Sequence, residues 1–380
     1  MKLNSSEKQI LELISFGQGI SRKRIAELLN MTQGSITNMT KLLLEHHFIV
    51  EGERIGSGMG RKEVLLYANP RKFTYLGVDI GGHAVRFALS DNCLDLLHED
   101  ECLMKDLLPQ ENRAEALLRK LDEFLAKCGA DAASLDAIGI GITGIVDAGG
   151  QIVLNMPNAP YWDDINLVSL VHKHFGCPVF LDEGGRTMAI AEQMTGKASD
   201  IADFIVVQVG YGIAAGIMIN GQLLRGVNNT AGLLGHITAD PHGSRCTCGN
   251  YGCLENIITF PMLEKDFKER GGSGLLIEAY RQNDKIALDV CIDAGQALGI
   301  ALSNVVNLFN PDTIFIGGPM FTEMPLMLDE TKRTITLRAN RFSTLSLKLE
   351  NTSFGGRQGI VGTLALAKSR LIRELSDYTP

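Results

Sequence analysis

The most specific chemistry in the chain is carried by His236, Cys246, Cys248 and Cys253, which crowd into one glycine-rich stretch. One imidazole and three thiolates make a complete tetrahedral set for zinc with no position left open for water, which points to a structural zinc, one per chain. The loop spanning 236–253 would be stapled by it, because it lacks the apolar mass to hold itself. His242 is a second imidazole that could serve, with His236 the favoured ligand. Three thiols this close in sequence are prone to oxidation unless a metal holds them. Cys93, Cys102, Cys128, Cys177 and Cys291 are scattered and read as core residues of a chain in a reducing compartment.

A second group has the chemistry of nucleic-acid recognition. Gln33, Ser35, Thr37, Asn38 and Lys41 share the polar face of a short helical pattern whose other face is Ile36, Met39 and Leu43. Hydroxyls, carboxamides and an ammonium are the groups that bond base edges and phosphates. Arg61, within Gly60-Arg61-Lys62, supplies a cation for a phosphate or a narrow minor groove. Arg22, at the start of the preceding helix with Lys23 and Arg24, reads equally well as a phosphate contact or a solvated surface.

These residues need elements to position them. Ile10, Leu13 and Ile14 mark a first helix; Ser21 caps a second carrying Ile25, Leu28 and Leu29; Thr32 caps a third. Phe48–Val50 and Val64–Tyr67 flank a glycine-rich turn and predict a two-stranded wing, closed by Asn69-Pro70. Three helices and a ribbon in that order predict a winged helix-turn-helix over 1–70, the third helix entering the major groove. From Tyr75 onward apolar strands (Leu76–Ile80, Ala137–Ile142, Phe204–Val209, Thr313–Ile316) alternate with helices (Ala114–Cys128, Ile165–Phe175, Thr187–Gln193, Val290–Asn310). That alternation is α/β grammar for a body over 71–380.

Bulk properties bound the reading without deciding it. With 45% hydrophobic and 21% charged residues the chain can bury large cores, which excludes global disorder. The net charge of −8 is uneven. Residues 1–70 hold nine Lys/Arg against seven Asp/Glu, a slight positive excess that leaves any nucleic-acid reading resting on motif. Met1-Lys2 leads straight into a polar helical pattern, and no uninterrupted apolar run reaches membrane-spanning length, so a cytoplasmic chain with no membrane partner is expected.

With these residues in place, the chain resembles the ROK family (repressors, open reading frames and sugar kinases) along essentially its whole length. The winged helix looks like that of the repressor branch, residues 75–370 look like the kinase-fold body, and the four zinc ligands fall on the family's own. The resemblance implies a two-lobed actin-like, ribonuclease H-like sugar-kinase fold and a homodimer or homotetramer. It places Asn158 on the sugar-side loop, Gly317-Gly318 on the adenosine-side turn, and Glu255 on a sugar-contacting glutamate or a partner of the zinc loop.

Departures from the family cluster at the chemistry. In its enzymes an Asn-Asp pair, nine and eight residues before a Glu, supplies the catalytic base; counting back from Glu192 puts that pair on Glu183 and Gly184. A glycine cannot take a proton, although a shifted turn could present Asp182 or Glu183. His83 and Tyr211 stand where the two phosphate loops carry Thr, and Leu233 replaces a sugar-binding Glu. What remains for an effector is Asn158, Glu183, His236 and Glu255, with Arg186 hinting at an anion or pairing with Asp182 or Glu183. The expected function is a repressor binding a double-stranded operator, with a catalytically inactive body that senses a sugar or sugar derivative. The alternatives are an active sugar kinase with an attached DNA-binding domain, or a body that only dimerises.

Overall fold

The computed structural model describes residues 3–17, 19–55, 62–107, 113–157, 159 and 162–375. Arg61, the wing tip and Asn158 lie outside the described residues.

Three helices open the chain: α1 (Ser5–Ser15), α2 (Arg22–Leu29) and α3 (Gln33–Glu45). Each begins on a side-chain cap, which satisfies an amide that the first turn leaves unpaired. Asn4 accepts from Glu7 N, Ser21 from Arg24 N and Thr32 from Ser35 N. The expected ribbon is present as β2 (Ile49–Ile55) and β3 (Glu63–Ala68), and β1 (Ile20–Ser21) adds a short third strand beside β3. Three helices followed by a small antiparallel sheet is the element order expected for residues 1–70. Leu28, spaced as a core residue, is instead half exposed, whereas Ile25 is fully buried.

Two five-stranded sheets follow, and they share one plan. The first joins β4 (Tyr75–Ile80), β5 (Ala84–Ser90), β6 (Leu96–Leu103), β7 (Ala137–Ile142) and β11 (Val179–Glu183) in the order β11-β7-β4-β5-β6. Helices α4 (Met104–Leu107), α5 (Arg113–Cys128) and α6 (Leu167–Phe175) lie between its strands in the chain. A small sheet of β8 (Ile145–Val146), β9 (Ile152–Asn155) and β10 (Ile165–Asn166) sits above it. After α7 (Gly184–Thr195), the second sheet joins β12 (Phe204–Val209), β13 (Ile213–Ile219), β14 (Gln222–Leu223), β15 (Thr313–Gly317) and β16 (Lys348–Asn351) in the order β14-β13-β12-β15-β16. In each sheet the first three strands form an antiparallel meander and the next two add in parallel on its other side. The ribonuclease H-like plan therefore occurs twice, as a two-lobed sugar-kinase fold requires.

The second lobe is covered by α8 (Glu255–Ile258), α9 (Phe260–Glu269), α10 (Leu276–Arg281), α11 (Lys285–Phe309), α12 (Pro319–Glu323) and α13 (Pro325–Arg338). α11 is long and apolar enough by composition to cross a membrane, although polar residues interrupt its apolar sequence. Its Val290, Cys291, Leu298, Leu302 and Val306 are fully buried within the lobe. Cys177 and Cys291 are buried as expected, but Cys93, Cys102 and Cys128 are only partly so. They occupy a hairpin turn, an outer strand and a helix end, where one side faces water.

The last helix, α14 (Gln358–Glu374), runs through the middle of the molecule. It crosses β7 at Gly139, where a side chain would strike the Thr363 carbonyl, so only glycine lets it lie this close. Its far end shares one apolar core with the winged helix: Leu371, Ile372 and Leu375 cluster with Ile10, Leu11 and Ile14. Arg373 also pairs with Glu12 at 3.2 Å, and Lys8 Nζ donates to the Arg373 carbonyl at 3.2 Å.

Lys368 of α14 is fully buried, and burial pushes its ammonium down to about 8. A depressed lysine destabilises the fold increasingly as pH falls from its unfolded value near 10.5 to about 8, and by a constant amount below that. Lys368→Met, which keeps the stem, is therefore expected to stabilise the chain at pH 7 by about 3 kcal/mol. The gain should vanish above pH 10.5, as read from denaturant unfolding across pH.

Candidate metal centre, nucleic-acid interface and cleft

The ligand atoms of His236, Cys246, Cys248 and Cys253 all lie within 4.8 Å of one another. Cys248 Sγ and Cys253 Sγ are 3.7 Å apart, as are Cys246 Sγ and His236 Nδ1. Ligands about 2.3 Å from a tetrahedral centre sit roughly 3.8 Å apart, so the spacing fits a zinc-sized ion. Burial and the neighbouring Cys248 and Cys246 push the Cys253 thiol up to about 12. The backbone is built for this: Gly252 has a φ of 64°, and a side chain there would strike the Asp240 carbonyl. Asn250 braces the cluster, donating through Nδ2 to Thr238 Oγ1 at 3.1 Å and Cys253 Sγ at 3.5 Å. The four side chains could hold a metal ion, and the position of His236 favours it over His242. Two residues on, Glu255 Oε2 accepts from Ile213 N at 3.1 Å and ties the loop to β13.

On α3, Ile36 and Leu43 are fully buried while Gln33, Thr37, Asn38 and Lys41 are exposed and Ser35 is partly so. Four of the five expected contact residues thus project from a helix whose opposite face is fixed in a core. Arg22 is engaged within the chain: its Nε donates to Thr40 Oγ1 at 2.9 Å and its Nη2 pairs with Glu51 at 2.8 Å, which fastens α2 to α3 and β2.

The cleft between the lobes departs further from expectation. Asp182 is fully buried at the end of β11 and bridges two guanidinium groups: Oδ1 accepts from Arg186 Nε and Oδ2 from Arg225 Nη2, both at 2.6 Å. Arg186 also donates to the Asn229 carbonyl, and Asn229 Nδ2 to the carbonyls of Val146 and Asp147. Of the two readings of Arg186, the internal ion pair with Asp182 is the one the structure contains. Glu183, expected to face a ligand, is instead the buried cap of α7, accepting from Gly185 N at 2.9 Å and Arg186 N at 3.2 Å. Burial pushes its carboxyl up to about 7. Gly184 is the first residue of α7, and a side chain there would find only the Ile142 carbonyl, at an ordinary contact distance. A Cβ would therefore fit at Gly184, and the glycine itself carries no acceptor.

His83 and Tyr211 meet across the mouth of the cleft. Their rings stack with centroids 5.2 Å apart and planes within 3°, joining the β4–β5 turn to the β12–β13 turn. Sequence reasoning identified each residue as an intruder in a phosphate loop but not that they touch. Between the lobes is a cavity of about 450 Å³ whose lining includes Asp79, Gln208, Gly317, Gly318, Gln358 and Gly359. Leu233 is partly exposed near the metal loop, so its isobutyl group faces the solvent side where a carboxylate was expected.

Comparison with known proteins agrees with this geometry. The ROK family model matches residues 75–370. The xylose repressor of Caldicellulosiruptor bescii is 27% identical, the match covering 96% of this chain and 95% of that protein. The DNA-binding transcriptional dual regulator NagC of Escherichia coli K12 is 28% identical over 98% of this chain and 93% of its own. Among solved structures, a ROK family transcriptional regulator described as a homolog of the E. coli MLC protein superposes with a TM-score of 0.80, at 27% identity, covering 97% of this chain and 96% of that one. A ROK family glucokinase from Streptomyces griseus, in complex with glucose and AMPPNP, gives a TM-score of 0.67 at 27% identity, over 78% of this chain and 99% of the enzyme. The kinase thus lacks a counterpart to about a fifth of this chain, which the regulator supplies. With the doubled sheet plan, the four-ligand loop and a family match spanning most of its length, the chain belongs to the ROK family.

Proposed function

We propose that the chain is a DNA-binding transcriptional repressor built from a winged helix-turn-helix over 1–70 and a kinase-like body over 71–380 that performs no phosphorylation. The observation that carries the reading is α3, which exposes Gln33, Thr37, Asn38 and Lys41 while Ile36 and Leu43 pin its other face. The relatives that match nearly the full chain are named as repressors and regulators, which supports the same reading. A homodimer or homotetramer would place two winged helices on an operator with twofold-related half-sites.

The absence of kinase activity follows from chemistry at four positions. Phosphoryl transfer needs a carboxylate within hydrogen-bond reach of the sugar hydroxyl and donors around the phosphates. Gly184 offers no acceptor, and Asp182 is saturated by Arg186 and Arg225. The His83–Tyr211 stack puts two rings where the family's phosphate loops carry Thr. Leu233 removes a sugar contact. One zinc per chain, held by His236, Cys246, Cys248 and Cys253, would act as a staple, its closed ligand set supplying charge and rigidity rather than a reactive water.

A sugar or sugar derivative is the proposed effector, with Glu255 and His236 facing it and Asn158, outside the described residues, joining them by resemblance to the family alone. The route to the DNA is α14, whose first residues, Gln358 and Gly359, line the inter-lobe cavity while its last turns are fused to α1. A ligand that changes lobe closure would move α14, and with it the spacing of the paired α3 helices.

The test is a band shift of the full chain with the region upstream of its own gene. Retardation that weakens steeply with salt is expected. No retardation under any ligand condition would refute the proposal.

A further inference from the structure

The polar face of α3 is not uniformly available for recognition. Ser35 Oγ lies 2.9 Å from Thr32 Oγ1 inside the helix cap, and Thr37 Oγ1 donates to the Gln33 carbonyl at 2.7 Å. Lys41 faces Glu45 at 3.7 Å, and Arg22 is held by Thr40 and Glu51. Gln33 and Asn38 remain: both are exposed, and neither carboxamide is engaged among the described residues.

Between them stands a glycine that the fold does not require. Gly34 is the second residue of α3, where alanine would favour the helix. A side chain there would meet nothing nearer than Thr32 Oγ1, at 4.0 Å, and the backbone is not in the left-handed region. Among the described residues, nothing occupies the space that a methyl at Gly34 would take. A surface pressed against the first turn of α3 would require that space.

We propose that α3 reads A·T base pairs through Gln33 and Asn38, and that Gly34 sets how closely its first turn enters the groove. The inference rests on the DNA-binding reading above and adds a base identity to it. A carboxamide can accept from the adenine N6 amine while donating to N7 of the same base. Guanine presents two acceptors at that edge, which suit a guanidinium or ammonium instead. The cations of the α2–α3 unit that could have supplied that readout each face a carboxylate of the chain: Arg22 with Glu51, Lys23 with Glu63, Arg24 with Glu27 and Lys41 with Glu45.

The experiment begins by recovering the preferred duplex from a randomised pool with the full-length wild-type chain. Each half-site should contain two positions fixed as A·T. Gln33→Ala and Asn38→Ala should each bind that duplex roughly ten- to a hundredfold more weakly and lose the preference at one of those positions. They should bind a duplex carrying G·C at that position about as well as wild type does. 7-Deazaadenine at the same position should weaken wild type and leave the matching variant unaffected. Gly34→Ala should keep or raise the melting temperature while lowering affinity at least about tenfold, a divergence that damage to the fold would not give. Variants that weaken binding to all duplexes equally, or that keep the A·T preference, overturn the proposal, as does Gly34→Ala binding as tightly as wild type. These outcomes leave the repressor reading standing. A wild-type chain that selects no duplex overturns both.

Discussion

Serine in place of Cys253 is expected to strip the chain of its metal and to lower its melting temperature by on the order of 10 °C. Cys253 is fully buried, and its sulfur is 3.7 Å from that of Cys248. Apart from the four ligands, the loop is held by short-range hydrogen bonds, among them Ala239 N to the Gly252 carbonyl, Cys246 N to the Asn250 carbonyl and Gly252 N to the Ser244 carbonyl, together with the bonds made by Asn250. A structural zinc site contributes its binding free energy directly to folding, on the order of 10 kcal/mol in small domains. In a large body only the part that reaches the global transition is seen, and several kcal/mol corresponds to the shift given above. Metal analysis of the wild type should find one zinc per chain. Wild-type protein without stoichiometric metal, or a Cys253→Ser variant that melts with it, would contradict the staple.

The second large effect is at Asp182. Alanine there leaves Arg186, itself fully buried, and Arg225 without their shared carboxylate, and a buried charge stripped of its partner typically costs 3–5 kcal/mol (about the same is expected here). The loss should appear as a lower unfolding midpoint in urea and be independent of any sugar or nucleotide. This separates Asp182 as a structural bolt from Asp182 as a displaced catalytic base. A base would lose turnover on substitution with its fold intact; a bolt loses the fold first. Leucine at Arg186 combined with alanine at Asp182 should recover part of the loss, because the two buried groups are then removed together.

The sequence was most legible where the meaning of a residue depends on its near neighbours. Ser21 and Thr32 are caps because the helix they start is the next few residues, and the four metal ligands announce themselves because three of them fall in one turn of chain. Gly184 could be recognised as a missing base by counting along a single strand and helix. The illegible parts are those that join distant segments. Arg225 is 43 residues from Asp182, so the second half of the bolt had no sequence signal. His83 and Tyr211 each read as a bulky residue in a phosphate loop, but their stacking depends on how two lobes face each other. Arg22 looked like a phosphate contact because nothing in its local sequence reveals Glu51 or Thr40. The two residues of β1 carry no periodicity, and the capping role of Glu183 is invisible until the start of α7 is fixed. Gly34 is the reverse case: an ordinary residue in sequence whose oddity appears only once the empty space around it is known.

The central claim is that a kinase-like body has been kept for its shape and joined through α14 to a DNA-reading helix. One preparation of the full-length, metal-loaded chain tests it when operator retardation and sugar-dependent ADP release are measured side by side across common hexoses and N-acetylhexosamines. The expected result is salt-sensitive retardation with no ADP release above background for any sugar. Sugar-dependent ADP release from a chain that retards no DNA would contradict it.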